Sequence, residues 1–353
     1  MTGKRIKVLI VDDSAVSREI ISRGISSDPQ IKVIAKAANP FEARDEILKY
    51  NPDVMICDIE MPRMNGIEFV RQLIPQYPLP VIMVTTVSKA VFDAINAGAV
   101  DFVIKPDMQS VKSVENFITE LIEKIKIADS SNVSQTKIGN PLLAISAEQK
   151  HINKRQIIAI GASTGGTEAI YSLLKSLPVN IPGIVVTQHI PPVFSYMFAE
   201  RLNNFTNFVV KEAETGDYVE QGKVLVAPGD QHMKIKRVGN RYKAICFRGE
   251  KVNGHCPSVD VLFQSVAEEA GEYAIGIILT GMGCDGAKGL LAMRKKGAKT
   301  IGQDEKSSVV YGMPKAAFSI GAVEKQLPLV DIPKILCKLW SNRVREREPG
   351  VRK

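Results

Sequence analysis

The stretch QIIAIGASTGGTEAI, residues 156–170, restricts the fold more than any other part of the chain. Gln156 to Ile160 is a short β-branched apolar run and reads as a buried strand. Thr167 to Leu177 has apolar residues at helical spacing. Only Gly161-Ala162-Ser163-Thr164-Gly165-Gly166 separates the two. A strand that passes so abruptly into a helix aims helix N–H groups at whatever lies at the bend. Ser163 sits there, and Gly161-x-Ser163-x-Gly165 matches the pattern of a nucleophile elbow. A Walker A loop is excluded, because Thr167 stands where its lysine belongs. The glycine spacing also excludes a dinucleotide fingerprint. A serine nucleophile and a plain glycine-rich turn remain.

The first third of the chain alternates strand and helix five times. Strands are expected at Ile6–Val11, Lys32–Ala37, Val54–Cys57, Pro80–Thr85 and Phe102–Ile104. Helices are expected at Ser14–Ser27, Pro40–Tyr50, Gly66–Ile74, Lys89–Ala97 and Ser110–Ile127. Regular alternation over short connections predicts a parallel, doubly wound sheet, whose ligands bind at the carboxyl ends of its strands. The polar residues at those ends are Asp12, Asp13, Asp58, Thr85 and Lys105. Converging carboxylates repel one another and call for a cation, and an all-oxygen set that shares its site with a phosphate suits Mg2+. The other reading is an acidic surface cluster without a metal.

The pattern resembles the receiver domain of two-component response regulators over residues 5–127. The motifs that carry the resemblance are VDDS (11–14), CDIEMPRMNG (57–66), MVTT (83–86) and DFVIKP (101–106). It implies that Asp58 accepts phosphate from a histidine kinase, and that Asp13, Asp58 and the Glu60 carbonyl bind Mg2+ with Asp12 assisting through water. It further implies that Thr85 and Lys105 contact the phosphoryl oxygens, that Phe102 changes its packing on phosphorylation, and that the Lys105–Pro106 bond is cis. The segment from Thr85 to Lys105 is a few residues shorter than usual.

The second strand–bend–helix region follows a change of composition. Residues 128–155 turn to Ser, Asn, Gln and Lys and read as a linker. Beyond it, Ile184–Thr187 is a buried strand ending in Gln188-His189, and Pro191–Leu202 a helix. Val209–Glu212, Val224–Ala227, His232–Arg237 and Tyr242–Phe247 suggest short strands, with a hairpin across residues 238–241. Ser258–Ala270 is a helix, and Ala274–Thr280 is a buried strand running into GMGCDG, residues 281–286. Three buried strands thus lead to Ser163, His189 and Asp285, which a parallel sheet gathers on one edge. A nucleophile, an imidazole and an orienting carboxylate are what serine hydrolysis requires. Each member also has an ordinary reading: a strand-end histidine for His189, and a helix N-cap for Asp285. His232 and His255 are rival bases, and Cys256 a rival nucleophile.

Residues 156–342 resemble the catalytic domain of the chemotaxis protein-glutamate methylesterases, the CheB family. The matching stretches are IGASTGGTEA (160–169), VVTQHIPPVFSYMFAERL (185–202), APGDQHM (227–233), SVDVLF (258–263), ILTGMGCDGAKGL (278–290) and GQDEKSSVVYGMPKAA (302–317). The resemblance implies Ser163 as nucleophile, His189 as base and Asp285 as orienting acid, with Thr164 and the Met282 amide holding the oxyanion. Cys256 departs from it, standing where the family usually has arginine.

The expected architecture is therefore α/β: a (βα)5 receiver at 1–127, a linker at 128–155, a doubly wound parallel-sheet hydrolase at 156–345 and a basic tail at 346–353. The expected activity is phosphorylation-activated hydrolysis of glutamate methyl esters, with deamidation of glutamines, on methyl-accepting chemotaxis receptors. The phosphate donor would be the chemotaxis histidine kinase CheA. Mg2+ would serve phosphorylation, and ester hydrolysis would need no cofactor. An unphosphorylated receiver covering the Ser163 edge is the expected mode of control.

Charge and compartment fit this reading. Residues 1–128 hold 16 Lys/Arg against 17 Asp/Glu, and the remainder 30 against 21. The basic half suits an acidic protein partner. It also permits the rival reading of a DNA-binding output domain, but no helix-turn-helix pattern is present, and nucleic acid is not expected as a partner. The five cysteines form no C-x-x-C pair, which points to reduced thiols. Asp12 and Asp13 come too early for a secretion signal, and no apolar run approaches spanning length. A cytoplasmic protein without membrane insertion is expected.

Overall fold

The computed structural model describes residues 4–86, 90–131 and 155–345. The chain divides into two compact units, Met1–Thr136 and Lys137–Lys353. Most of the expected linker, with His151, lies outside the described residues, as do Val87–Lys89 and the 346–353 tail.

In the first unit each strand is followed by a helix: β1 (Ile6–Val11) by α1 (Ala15–Ile25), β2 (Ile31–Ala37) by α2 (Pro40–Tyr50), and β3 (Val54–Asp58) by α3 (Gly66–Leu73). β4 (Val81–Thr85), α4 (Ala90–Asn96), β5 (Asp101–Ile104) and α5 (Val111–Asp129) complete the series. The sheet is wholly parallel in the order β2-β1-β3-β4-β5. β3 and β4 are buried along their whole length, as a sheet covered by helices on both faces requires. Helix starts follow their sequence signals: the side chains of Ser14, Asn39, Asn65 and Ser110 accept N–H groups of the first turns they cap. The expectation of a cis Lys105–Pro106 bond is not met, since Cys256–Pro257 is the sole cis peptide among the described residues.

The second unit begins with β6 (Ile157–Ala162), α6 (Gly166–Lys175), β7 (Gly183–Gln188), α7 (Phe194–Phe205) and β8 (Val209–Glu212). β9 (Tyr218–Val219), β10 (Lys223–Val226), β11 (His232–Val238), β12 (Arg241–Phe247) and α8 (Val259–Glu269) follow. β13 (Ala274–Ile278), α9 (Ala287–Lys295), β14 (Lys299–Gln303), α10 (Met313–Ser319), β15 (Lys325–Leu327) and α11 (Ile332–Arg345) close the chain. Seven strands form one parallel sheet in the order β15-β14-β13-β6-β7-β10-β8. β11 and β12 form the expected antiparallel hairpin, with β9 on its edge. α7 starts three residues later than its sequence suggests. Pro191 and Pro192 hold the chain out of the helix, and Val193 enters it at φ +71°.

The core of this unit packs α8 tightly against β6 and β13. Ile157, Ala159, Val259, Phe263, Val266 and Ile278 belong to one buried cluster. Contact is closest at Gly161, where a Cβ would lie 2.1 Å from Val259 Cγ1 and 3.1 Å from Phe263 Cζ. Gly161→Ala should therefore push α8 outward and cost on the order of 1–3 kcal/mol, the usual penalty of overpacking. Val259→Ala in the same chain removes the clashing methyls. Urea denaturation should show the double variant losing less than the two single losses together; simple additivity would contradict the packing argument.

Candidate active site

β13, β6 and β7 are neighbours in the sheet. Parallel strands all end on the same edge, so the segments that leave these three meet there. Ser163 directly follows β6 and His189 directly follows β7. Asp285 follows β13 at the end of a glycine-rich loop.

The bend at Ser163 is tied down through its backbone. Its N–H donates to Thr280 O at 3.0 Å, and its carbonyl accepts from Gly166 N at 2.7 Å and from Gln188 Nε2 at 2.8 Å. Gln188 also donates to His189 O at 3.1 Å. One buried amide thus joins the bend that carries the serine to the turn that carries the histidine. Gly166 makes room for it, since a Cβ there would lie 2.2 Å from Gln188 Oε1. Two carbonyl acceptors fix which end of the amide faces them.

Asp285 is 1 % exposed, and five donors surround its carboxylate. Oδ2 accepts from Val259 N at 2.7 Å and faces His189 Nε2 at 2.8 Å. Oδ1 accepts from Asn253 Nδ2 and Ser258 Oγ at 2.8 Å each and from Asp260 N at 3.2 Å. Val259 and Asp260 open α8, so the carboxylate also meets the positive end of that helix. Burial alone would push the carboxyl up; the His189 and Asn253 hydrogen bonds, the His189 charge and the Val259 N–H outweigh it and hold the group well below the usual carboxylate range. The ordinary reading of Asp285 as an N-cap fails in an informative way. Gly286 occupies the cap position of α9, and the aspartate serves the start of α8 instead.

The His189 side chain is 8 % exposed. With Nε2 bonded to Asp285, that nitrogen carries the proton and Nδ1 keeps its lone pair. Nδ1 is buried and has no hydrogen-bond partner. It is the one nitrogen of the ring free to receive a proton.

The rivals separate cleanly. His232 is buried with both nitrogens engaged: Nδ1 accepts from Ser258 N and Nε2 bonds to Glu250 O. Burial, with Asp230 nearby, pushes the Cys256 thiol up, the opposite of an activated thiolate. His255 lies against the site itself, its ring stacked on His189 with centroids 3.7 Å apart and planes 12° apart. Asn253 and Ser258, which hold Asp285, escaped the sequence reading. Their only signal is proximity in sequence to His255.

Of the residues expected to hold an oxyanion, Thr164 is buried, and its carbonyl accepts from Thr280 Oγ1 at 3.0 Å. Met282 follows Gly281, which is pinned by bonds to Val310, Gly312 and Met313.

At the strand ends of the first unit, Asp12, Asp13 and Asp58 bring carboxylate oxygens within 4.8 Å of one another. Asp12 and Asp58 are almost wholly buried, and Asp13 is exposed. Lys105 Nζ lies 2.6 Å from Asp58 Oδ2 and 3.5 Å from Asp12 Oδ2. Burial still holds the Asp58 carboxyl above its ordinary range, against the pull of Lys105. One lysine among three carboxylates leaves an excess of negative charge, and the all-oxygen donors fit a divalent cation. Thr85 is fully buried and its hydroxyl donates to Thr86 O at 2.8 Å. Glu60 donates its N–H to Asp58 Oδ1 at 3.3 Å and accepts from Thr86 Oγ1 at 3.3 Å. Phe102 is buried, with Lys124 Nζ 5.2 Å from its ring centroid.

The role of Gln188 yields a stability prediction. Gln188→Glu sets an oxygen against the carbonyls of Ser163 and His189. A loss on the order of 1–3 kcal/mol is expected in urea denaturation, the cost of buried groups left without partners. Gln188→Met removes both polar atoms and should cost less; the reverse order would refute the tie.

Comparison with known proteins identifies both units. The model of the CheB methylesterase family matches residues 158–336, and that of the response regulator receiver domain matches residues 8–114. A relative from Syntrophomonas wolfei, named protein-glutamate methylesterase/protein-glutamine glutaminase 2, is 56 % identical over 339 residues, covering 96 % of this chain and 99 % of its own. One from Syntrophotalea carbinolica, named protein-glutamate methylesterase/protein-glutamine glutaminase, is 46 % identical over 351 residues, covering 96 % and 99 %. The crystal structure of the Thermotoga maritima CheB methylesterase catalytic domain aligns with a TM-score of 0.51 at 38 % identity, over 52 % of this chain and 98 % of that one. With an α/β receiver ahead of an α/β hydrolase unit, and matches that run nearly end to end, the chain belongs to the CheB methylesterase family.

Proposed function

We propose that this chain hydrolyses glutamate methyl esters, and deamidates glutamines, on the cytoplasmic helices of methyl-accepting chemotaxis receptors. Ser163, His189 and Asp285 do the chemistry. The observation that carries the reading is the buried His189–Asp285 pair, which leaves Nδ1 without a partner on a turn that Gln188 ties to the serine bend. Ser163 Oγ attacks the ester carbonyl and its proton passes to His189 Nδ1. The imidazolium returns that proton to the leaving methoxy oxygen, and methanol departs. Water, deprotonated at the same nitrogen, then releases the acyl group and leaves glutamate. Asp285 stays ionised throughout and stabilises the imidazolium. Thr164 and the Met282 amide hold the oxyanion. No helix among the described residues is long and apolar enough to cross a membrane, which suits an enzyme that meets its receptors from solution.

In the receiver, Asp58 takes phosphate from a CheA-type histidine kinase. Asp13, Asp58 and the Glu60 carbonyl would hold Mg2+, with Asp12 assisting through water, and the bound ion would supply positive charge to the phosphoryl oxygens. Thr85 and Lys105 contact the new phosphoryl group, and Phe102 answers the change by repacking. Phosphorylation raises esterase turnover.

Two measurements test the reading. Ser163→Ala should cut methanol release from methylated receptor by roughly four to six orders of magnitude with the fold intact. Retention of a tenth of the activity would remove Ser163 as nucleophile. Acetyl phosphate with Mg2+ should label Asp58 and raise turnover of the full-length chain about tenfold, a shift that needs only about 1.4 kcal/mol. Asp58→Asn should abolish both effects, and labelling that survives it would refute the site.

A further inference from the structure

The turn at residues 252–255 is built around the His189–Asp285 pair. Val252 and His255 form an isolated antiparallel bridge, each N–H bonded to the other's carbonyl at 3.0 Å. Between them Asn253 and Gly254 both have positive φ, +53° and +84°, as the tightest two-residue turns require. The turn thereby sends two side chains to the same place. Asn253 bridges Asp285 Oδ1 and Asp260 Oδ2 at 2.8 Å each. His255 lies flat on the imidazole of His189. Three residues further on, Ser258 caps α8 and donates its hydroxyl to Asp285. One seven-residue segment thus contacts the base once and the acid twice.

We infer that His255 is a positioning residue for the hydrolysis, whose uncharged ring face holds the His189 imidazole in its working orientation and supports the imidazolium formed during attack. This rests on the roles given above to Ser163 and His189. The ring of His189 has one edge on Asp285 and one face on His255, which leaves Nδ1 as the remaining polar position. Without the stack, that face loses its ring partner, and the hydrogen bond to Asp285 is left to orient the imidazole. The cation that forms on His189 gains from a π-face parallel to its own ring. That gain requires His255 to be neutral. Burial first, and the neighbouring His189 second, push it down to about 4, against the opposing pull of Asp285. His255 itself takes no proton: the proton leaves Ser163 Oγ, rests on His189 Nδ1 and departs with methanol.

The roles of orienting ring and proton carrier are separated by His255→Phe and His255→Ala. Phenylalanine keeps a flat π-face and cannot titrate; alanine removes both properties. In the full-length protein acting on methylated receptor, His255→Ala should lower kcat by roughly 10–100-fold with KM little changed, the scale of a misplaced catalytic group. His255→Phe should stay within about threefold of wild type. The second readout needs no substrate. The proton between His189 Nε2 and Asp285 should give a resolved downfield NMR resonance in wild type and in His255→Phe, and should broaden or vanish in His255→Ala. Two kinetic results would overturn the inference: His255→Phe as slow as His255→Ala, which makes the imidazole a chemical participant, or His255→Ala as fast as wild type. A sharp, unshifted resonance in His255→Ala would overturn it even if wild-type methanol release failed and the serine mechanism fell with it.

Discussion

The Asp285 carboxylate is the fixed point of the hydrolase unit. An ionised carboxylate buried without partners is prohibitively costly, so the fold must converge donors on it. It does so from three separate segments: Asn253 from a tight turn, Ser258, Val259 and Asp260 from the start of α8, and His189 from the end of β7. Once these are satisfied, Nε2 of His189 is held against the carboxylate and Nδ1 is left as the second polar atom of the ring. The tautomer follows as well. The chemistry of the site is thus set by the solvation of its least reactive member.

The receiver solves the opposite problem. Asp12 and Asp58 are buried beside each other with Lys105 as the nearby cation, and the arrangement keeps more negative charge than it neutralises. Burial raises the Asp58 carboxyl where the hydrogen-bond array around Asp285 depresses its own. One buried aspartate is stabilised as an anion by protein donors; the other keeps an excess of negative charge around it. The difference fits the two proposed roles, a group that reacts in one unit and a group that only holds in the other.

Strand ends were legible in the sequence because buried parallel strands are short apolar runs, and whatever polar residue follows such a run lies on the sheet edge. That logic found Ser163, His189 and Asp285, and Asp12, Asp58, Thr85 and Lys105 likewise. It failed where the pattern is weak. β9 has two residues and β15 three, and β14, KTIGQ, has a single large apolar side chain. The residues that touch Asp285 and His189 were the least legible. Nothing local says that Asn253 and Ser258 turn towards an aspartate some thirty residues downstream, or that His255 lies flat on His189. Those contacts are properties of how α8 packs on the sheet. The Lys105–Pro106 bond came from resemblance alone, and this chain keeps it trans.

The order of strands has a consequence for how the enzyme is made. β6 leads into Ser163, the proposed nucleophile, yet one of its neighbours in the sheet is β13, more than a hundred residues further along the chain. While the ribosome is still delivering the intervening segment, Ser163 lacks its backbone anchor at Thr280, and His189 lacks its partner Asp285. A nascent chain stalled anywhere before β13 therefore holds Ser163 without that anchor. Pairing across so long a separation is slow by nature. The same delay means that this edge of the sheet is complete only when β13, the last of the three central strands in chain order, docks beside β6.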